Sequence, residues 1–152
     1  MLVREAIDEQ DRVLLRLLQR NARAPVAELA VAAGLAPSSV HERIRRLERR
    51  GVIRRWTVDV NPAAFGVPIT AFVSVDAEAP TSELTPALRA VPGVEECHSV
   101  AGDPSFLLKV RVPDPDALLA LVDELHALRG VTRTRTSVVL RTHFERGPEQ
   151  ER

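Results

Sequence analysis

The first sixty residues contain three short stretches in which apolar side chains recur with the period of an α-helix. The first stretch, "IDEQDRVLLRLLQRNAR", has acidic residues in its first turn, and its apolar stripe consists of Ile7, Val13, Leu14, Leu17 and Leu18. The second, "PVAELAVAAG", begins with Pro25 and ends at Gly34, which can adopt the left-handed conformation that terminates helices. The third begins at Pro37 and ends at Gly51. The pattern predicts three consecutive short α-helices.

The second and third helices are separated by a tight turn around Gly34, and the first helix precedes them. This is the order of the helix-turn-helix, whose second helix enters the major groove of DNA. After the third helix, "VIRRWTVDV" alternates with the period of a strand, and "NPAAFGVP" collects turn residues. We therefore predict a helix-turn-helix, winged-helix-like DNA-binding domain at residues 1–60 and a hinge at 61–68.

The second half of the chain contains an internal repeat. "LRAVPGV" at Leu88 and "LHALRGV" at Leu125 share the pattern Leu-x-Ala-apolar-x-Gly-Val, and each is flanked by apolar strand-like segments. Two strand, helix, strand units in succession predict a ferredoxin-like βαββαβ domain at residues 69–152, with a four-stranded antiparallel sheet and both helices on one face. The fold class is thus α+β.

The first helix of this repeat contains Pro86, which leaves its start open. A helix capped by Ser82 would lose an internal hydrogen bond at the proline, whereas one capped by Thr85 would be short. We expect a helix over residues 82–91. The second helix has Asp114 as a cap and Pro115 in its first turn.

The strand segments "AFVSV" and "LLKVRV" carry apolar or small residues on both faces. Helices on one face leave the other uncovered, and an uncovered apolar face favours association. We expect the protein to form a homo-oligomer through its sheet.

Several classes of protein are disfavoured by composition. Cys97 is the only cysteine, so no intramolecular disulfide forms, and four scattered histidines do not predict a metal site. We expect no metal and no cofactor. The chain has no long apolar run and no secretory signal at its start, which predicts a cytoplasmic protein without a membrane segment.

Charge is distributed unevenly, although the net charge of the chain is zero. Residues 1–60 hold 12 arginines and 8 acidic residues, whereas residues 61–152 hold 9 basic and 13 acidic residues. The interval 36–56 alone has seven arginines and two glutamates. This asymmetry indicates an anionic partner for the first half. Arginine abundance by itself says little, because Lys109 is the only lysine of the chain.

The third helix turns a polar face outward when Val40, Ile44 and Leu47 point to the core. Hydroxyl, carboxylate and guanidinium groups on that face suit contacts with bases and phosphates, although a merely solvated face is the alternative. The residues predicted to contact DNA are Ser38, Ser39, His41, Glu42, Arg45, Arg46, Arg49 and Arg54.

Three long segments, "APSSVHERIRRLERRGVIRRWTVDVNPAAFG", "ECHSVAGDPSFLLKV" and "GVTRTRTSVVLR", resemble the Lrp/AsnC (feast/famine) family of transcription regulators. The resemblance spans almost the whole chain. It implies a DNA-binding regulator rather than an enzyme, with a C-terminal domain that dimerises through its sheet and often assembles into octamers. It also implies an amino acid or related effector bound between dimers in that domain.

The same resemblance implies an effector pocket formed by "AGDPSF" and "TRTRTS", with contributions from Gly102, Asp103, Pro104, Ser105, Thr134 and Thr136. From the residues alone, a hairpin corner is the favoured interpretation of Gly102 and Asp103. The family usually reads Gly-Asp-aromatic-Asp-aromatic here, so Pro104 and Ser105 remove a carboxylate and an amide donor. The family also commonly has serine in place of Ala36, whose side chain cannot cap a helix.

Two alternatives remain at this level. Sirohaem decarboxylases resemble the family in both domains, and an enzyme of that kind would use His98. A ligand-sensing module that binds proteins instead of DNA is the other alternative.

Overall fold

The computed structural model of the chain describes residues 7–145. Three helices come first, followed by a 3-10 helix at Pro62–Phe65. The N-terminal helices are α1 (Glu9–Arg20), α2 (Val26–Ala33) and α3 (Pro37–Arg49). The later elements are β1 (Ile69–Ala77), α4 (Thr81–Ala90), β2 (Val94–Ser99), β3 (Phe106–Val112), α5 (Pro115–Ala127) and β4 (Val131–Val138).

The chain divides into two compact units. Among residues 7–145, one unit contains residues 7–59 together with Phe144 and Glu145, and the other contains Val60–His143. The sequence predicts a C-terminal domain that ends at residue 152. The limits 1–60, 61–68 and 69–152 stay a prediction. In residues 61–68, Asn61 caps the 3-10 helix by accepting a hydrogen bond from the Ala63 N–H at 3.0 Å.

The helix-turn-helix prediction is confirmed. Gly34 ends α2 in the left-handed conformation (φ 63°), and the Leu35 N–H donates to the Ala30 carbonyl at 2.9 Å to close the turn. The three helices share a small core that contains Leu14, Leu18, Leu29, Ala30, Ala33 and Val40. Because this core fixes the side of α3 that is buried, it also fixes the side that faces outward.

The alternating segment after α3 does not form the predicted strand. Residues 54–60 have no partner strand, since the four described strands pair with one another. Val58 is largely exposed, and the Trp56 indole donates to the Glu48 carboxylate at 2.6 Å. Alternation alone predicts an extended backbone, but a strand also needs a neighbour to receive its hydrogen bonds.

The C-terminal unit has the predicted ferredoxin-like topology. Its antiparallel strands lie in the order β2-β3-β1-β4. Side chains from one face of β1 and β3 pack with Leu84 and Leu88 of α4 and with Leu121 and Leu125 of α5. Both helices therefore cover the same face of the sheet. The other face carries Phe72, which is 41% exposed.

Of the two alternatives for the first repeat helix, the structure has the longer one. Helix α4 begins at Thr81, one residue earlier than expected, and contains Pro86 in its interior. The Thr85 hydroxyl donates to the Thr81 carbonyl at 2.7 Å. In α5, the Asp114 carboxylate accepts from the Ala117 N–H at 2.8 Å, as its predicted capping role requires.

The repeated Gly-Val pair has a steric cause. Gly93 and Gly130 both have positive φ angles, of 87° and 94°. A Cβ atom at Gly93 would lie 2.7 Å from the Arg111 carbonyl oxygen, and one at Gly130 would collide with the Cβ atom of Ala79. Each repeat therefore needs a residue without a side chain where its helix returns to the sheet.

Ala36 lies at the N-cap of α3 with extended backbone angles (φ −73°, ψ 148°) and provides no side-chain cap. Replacing Ala36 with serine is expected to raise the free energy of unfolding by about 1 kcal/mol, because the hydroxyl can accept from an N–H of the first turn. Thermal denaturation measures the effect. Ala32→Ser, on the exposed surface of α2, is the control, and an equal response in both variants would contradict a capping effect.

Candidate nucleic-acid interface and effector site

The outward face of α3 displays most of the residues predicted to contact DNA. Ser38, His41, Glu42, Arg45 and Arg49 are exposed, whereas Ser39 and Arg46 are half-buried. Arg54 is exposed in the segment that follows the helix. The buried side of α3 consists of Val40 and Leu47, as the apolar period predicted. Since α3 is the second helix of the helix-turn-helix motif, this face has the position from which such motifs read the major groove.

One ion pair lies within this outward face. Arg49 donates to the Glu42 carboxylate at 2.8 Å, and this hydrogen bond lowers the pKa of Glu42. Both side chains are more than 60% exposed. Exposed pairs of this kind contribute little to stability, because water screens both charges. Arg49 can therefore exchange Glu42 for a phosphate at little energetic cost.

Two other arginines of α3 turn toward α1 and form a charged cluster, which we call the α1 clamp. It consists of Asp8, Gln10, Asp11, Arg43 and Arg46. Arg43 donates to Asp8, to Asp11 at 2.9 Å and to Gln10 at 2.6 Å. Arg46 donates through Nη2 to both oxygens of Asp11, at 2.8 and 3.2 Å. The clamp thus ties α3 to α1 through five hydrogen bonds.

Asp11 is at the centre of the α1 clamp. It is 1% exposed and is the only buried charged residue in the described part of the chain. Its two arginine partners supply the opposite charge that burial of a carboxylate requires. Asp8 lies at the rim, where the hydrogen bond from Arg43 lowers the pKa of its carboxyl. The same contacts with Asp8 and Asp11 raise the pKa of Arg43.

Sequence reasoning missed the clamp, although a signal was present. Asp11 occupies a position of the buried stripe that continues through Leu14 and Leu18. Arg43 lies on the buried side of α3, between Val40 and Leu47 in the i, i+3, i+7 spacing. Opposite charges at core-facing positions of two packed helices predict an ion pair between them.

The effector site predicted from resemblance falls at one end of the C-terminal sheet. Gly102 and Asp103 are exposed in the turn between β2 and β3, and Pro104 and Ser105 are half-buried. The Ser105 hydroxyl donates to the Ala77 carbonyl at 3.3 Å and accepts from the Ala77 N–H at 3.2 Å. Ser105 therefore joins the turn to the end of β1, and the Asp103 carboxylate is the exposed charge of the turn.

The two predicted threonines lie on the other side of β1. Thr134 is paired with Val75 and exchanges a hydrogen bond with the His126 ring at 2.7 Å, whereas Thr136 is exposed. The strand register thus places β1 between the threonines and the Gly102–Ser105 turn. Asp76 of β1 is paired with Arg133 of β4, and its buried Oδ1 atom receives no hydrogen bond from the described residues. Sequence reasoning did not select Asp76.

The other histidine, cysteine and acidic residues considered as candidates do not come together as a site in the described part of the chain. Within residues 7–145, no group of three or more His, Cys, Asp and Glu side chains is arranged to hold a metal ion. His98 is exposed and contacts the Glu96 carboxylate at 3.1 Å. Burial raises the pKa of the Cys97 thiol, as suits a residue that packs against the core of the sheet. No helix in residues 7–145 is long and apolar enough to cross a membrane.

Two family models match the chain. The AsnC-type helix-turn-helix domain matches residues 7–48, and the Lrp/AsnC ligand binding domain matches residues 70–149. The first match covers the three N-terminal helices except Arg49, and the second covers the four-stranded sheet except Ile69.

Curated proteins similar to this chain are regulators of transcription. The HTH-type transcriptional regulator LrpA of Mycobacterium tuberculosis is 41% identical over 142 residues, which cover 92% of this chain and 94% of that protein. The leucine-responsive regulatory protein of Escherichia coli K12 is 39% identical over 139 residues, covering 88% of this chain and 85% of that protein.

Solved structures agree with these relatives. The feast or famine regulatory protein from M. tuberculosis, complexed with L-methionine, superposes with a TM-score of 0.86 at 37% identity, covering 96% of this chain and 99% of that one. A transcriptional regulator from Neisseria meningitidis, also in complex with L-methionine, has a TM-score of 0.84 at 27% identity and covers 93% of this chain and 94% of that one.

Proposed function

The chain belongs to the Lrp/AsnC family of DNA-binding transcriptional regulators, and from this premise we propose how its own residues carry out that function. We propose that α3 reads a specific duplex sequence and that an amino acid or related small effector binds the C-terminal unit and controls this activity. The enzyme alternative has no support among the relatives described above, which are transcriptional regulators.

The outward face of α3 is the observation that carries the proposal. Ser38, His41, Glu42 and Arg45 are exposed on one helix whose opposite side is buried against α1 and α2. Hydroxyl and guanidinium groups donate to base edges and phosphates, and a carboxylate accepts from cytosine. Ser39 and Arg46 extend the proposed interface along α3, and Arg49 and Arg54 extend it toward the backbone of the duplex.

Duplex binding by purified protein tests this interface. We expect affinity to fall steeply with salt, because arginine contacts release counterions from the phosphates. Arg45→Ala is expected to weaken binding about tenfold or more and to reduce the salt slope by about one, as loss of one cationic contact should. Fluorescence anisotropy across a salt series measures both quantities.

Arg89→Ala is the matched control, since Arg89 is an exposed helical arginine in the other unit. Equal losses in Arg45→Ala and Arg89→Ala would contradict a specific role for α3. Absence of any duplex binding by the wild-type protein would favour the ligand-sensing module that acts without DNA.

An amino-acid effector is supported by the two similar structures that contain L-methionine and by the relative named as leucine-responsive. We propose that it binds at Gly102, Asp103, Pro104, Ser105, Thr134 and Thr136. Asp103 is the exposed carboxylate of the turn, so it suits the effector's ammonium group. The Ser105 hydroxyl already bonds to Ala77, so its part is to hold the turn in place.

A thermal-shift screen of the common amino acids tests this site. An amino acid that binds the folded state raises the melting temperature, by an amount that grows with its concentration. Asp103→Ala is expected to abolish that shift. Asp123→Ala removes an exposed aspartate from α5 and is expected to leave the shift intact. A shift that survives in Asp103→Ala would place the effector elsewhere.

We also propose that the protein acts in the cytoplasm as a homodimer that assembles further, with an octamer as one such assembly. The uncovered face of the sheet supports this proposal, because it carries Phe72, paired with Lys109, and Leu107, paired with Ser74. A symmetric dimer would present two copies of α3 to successive turns of a duplex. Light scattering measures the assembly state.

A further inference from the structure

Arg46 of α3 is held in an unusual way for a residue expected to contact DNA. Its Nη2 atom donates to both oxygens of the buried Asp11, and its Nε atom is itself buried without an acceptor in the described residues. The side chain is nevertheless 41% exposed. Nη1 is therefore the nitrogen left for an acceptor outside the chain. The guanidinium combines a fixed inner edge with an outer edge open to a partner.

Arg46 differs in this respect from its neighbours on α3. Arg45 is exposed, and among the described residues Arg49 pairs with the exposed Glu42. Exposed side chains of this kind can contact a phosphate in many different rotamers. A guanidinium that is already fixed presents its donor in one direction and loses less rotamer freedom on binding. Arg46 is thus suited to distinguish one position of the duplex from another.

The α1 clamp also carries little net charge. Asp8 and Asp11 balance Arg43 and Arg46, so the cluster adds almost nothing to the general attraction for phosphates. That attraction scales with unpaired positive charge and accounts for most binding to non-specific DNA. A neutral cluster with a directed donor contributes to the choice of sequence instead.

We propose that Asp11 is a positioning residue for DNA recognition, which orients Arg46 so that its guanidinium reads a defined site on the duplex. The proposal rests on the proposed function of α3 and identifies a residue of α1 that acts through another side chain. Asp11 is buried and does not itself contact DNA.

Two duplexes test the proposal. One is selected by the wild-type protein from a random-sequence pool, and the other is a scrambled duplex of the same composition. Asp11→Asn keeps the shape of the side chain and removes its charge. We expect the variant to bind the scrambled duplex as tightly as wild type or more tightly, with a salt slope steeper by up to about one. We expect the ratio of selected to scrambled affinity to fall about tenfold or more.

This ratio separates positioning from folding, because only folded protein binds either duplex. A loss of folded protein lowers both apparent affinities equally. Asp8→Asn is the matched charge control, since Asp8 pairs mainly with Arg43 and lies 3.9 Å from Arg46. It removes one negative charge from the same cluster but leaves the bonds between Asp11 and Arg46. Its ratio is expected to stay within about twofold of wild type.

Arg46→Lys is a second variant that does not depend on the stability of Asp11→Asn. It keeps the positive charge but removes the forked geometry, so we expect scrambled-duplex affinity to persist while the ratio falls. Unchanged ratios in Asp11→Asn and Arg46→Lys would overturn the proposal, as would equal ratios in Asp8→Asn and Asp11→Asn. A wild-type protein that selects no duplex from the pool would overturn the proposed function and this proposal together.

Discussion

Replacement of Gly93 by alanine is expected to destabilise the C-terminal unit by about 3 kcal/mol or more. The residue has a φ angle of 87°, and its Cβ atom would lie 2.7 Å from the Arg111 carbonyl oxygen and 3.1 Å from the Leu121 side chain. The carbonyl cannot move freely, because the Arg111 N–H donates to the Gly93 carbonyl at 2.8 Å. The substitution therefore combines backbone strain with a collision against the sheet.

Gly102→Ala is the matched control for Gly93→Ala. Gly102 has the same φ angle of 87°, but an added Cβ atom would meet nothing within 4 Å. We expect a loss of about 1–2 kcal/mol there, from the left-handed backbone alone. Urea denaturation followed by far-UV circular dichroism gives the difference between the variants. Equal losses would mean that the close approach to Arg111 can relax.

The second large effect concerns Arg43. Arg43→Ala is expected to lower the free energy of unfolding by about 3 kcal/mol, because it removes three hydrogen bonds and leaves the buried Asp11 with Arg46 as its remaining cationic partner. The fluorescence of Trp56, the only tryptophan, reports unfolding of the N-terminal unit.

Arg49→Ala is the comparison, since Arg49 lies on the same helix and also pairs with a carboxylate at 2.8 Å. Water screens its exposed pair with Glu42, so we expect almost no change in stability. For DNA affinity we expect the opposite order, with the larger loss in Arg49→Ala. Arg49→Ala is expected to weaken duplex binding and reduce its salt slope, whereas folded Arg43→Ala keeps the outward face of α3. A destabilised Arg49→Ala with unchanged DNA affinity would contradict the division of α3 into an inner and an outer face.

The fold was predictable where a local pattern had one structural solution. The 3.6-residue period of α1 and α3 determines which sides are buried, and Gly34 marks the turn between α2 and α3. The topology of the sheet follows from the repeated unit, which consists of a strand, a helix, a Gly-Val pair and a second strand. The strand predicted after α3 is wrong because pairing is a property of two segments, and the alternation around Trp56 describes only one.

The sites were predictable to a smaller extent. An outward position on α3 follows from the helical period, but the direction of an arginine depends on which acceptors lie within reach. Arg45 and Arg46 are adjacent in sequence, yet Arg45 faces solvent and Arg46 is bound by a carboxylate 35 residues earlier in the chain. At the turn between β2 and β3, the role of Ser105 depends on its contact with Ala77 of β1, which lies 28 residues away.

The α1 clamp separates the support of α3 from the outward residues that are proposed to contact DNA. Arg43 and Arg46 fix the rotation of α3 about its own axis from the inner side, independently of the exposed Ser38, His41, Glu42 and Arg45. Substitutions at these four positions, which are proposed to contact the bases, would change the outward face without removing the contacts between α3 and α1. The outward residues of α3 can therefore vary while the contacts that hold α3 against α1 stay the same. Because Arg46 also contributes to the proposed choice of sequence, a retargeting experiment transplants the four outward residues from a relative that retains both Asp11 and Arg46.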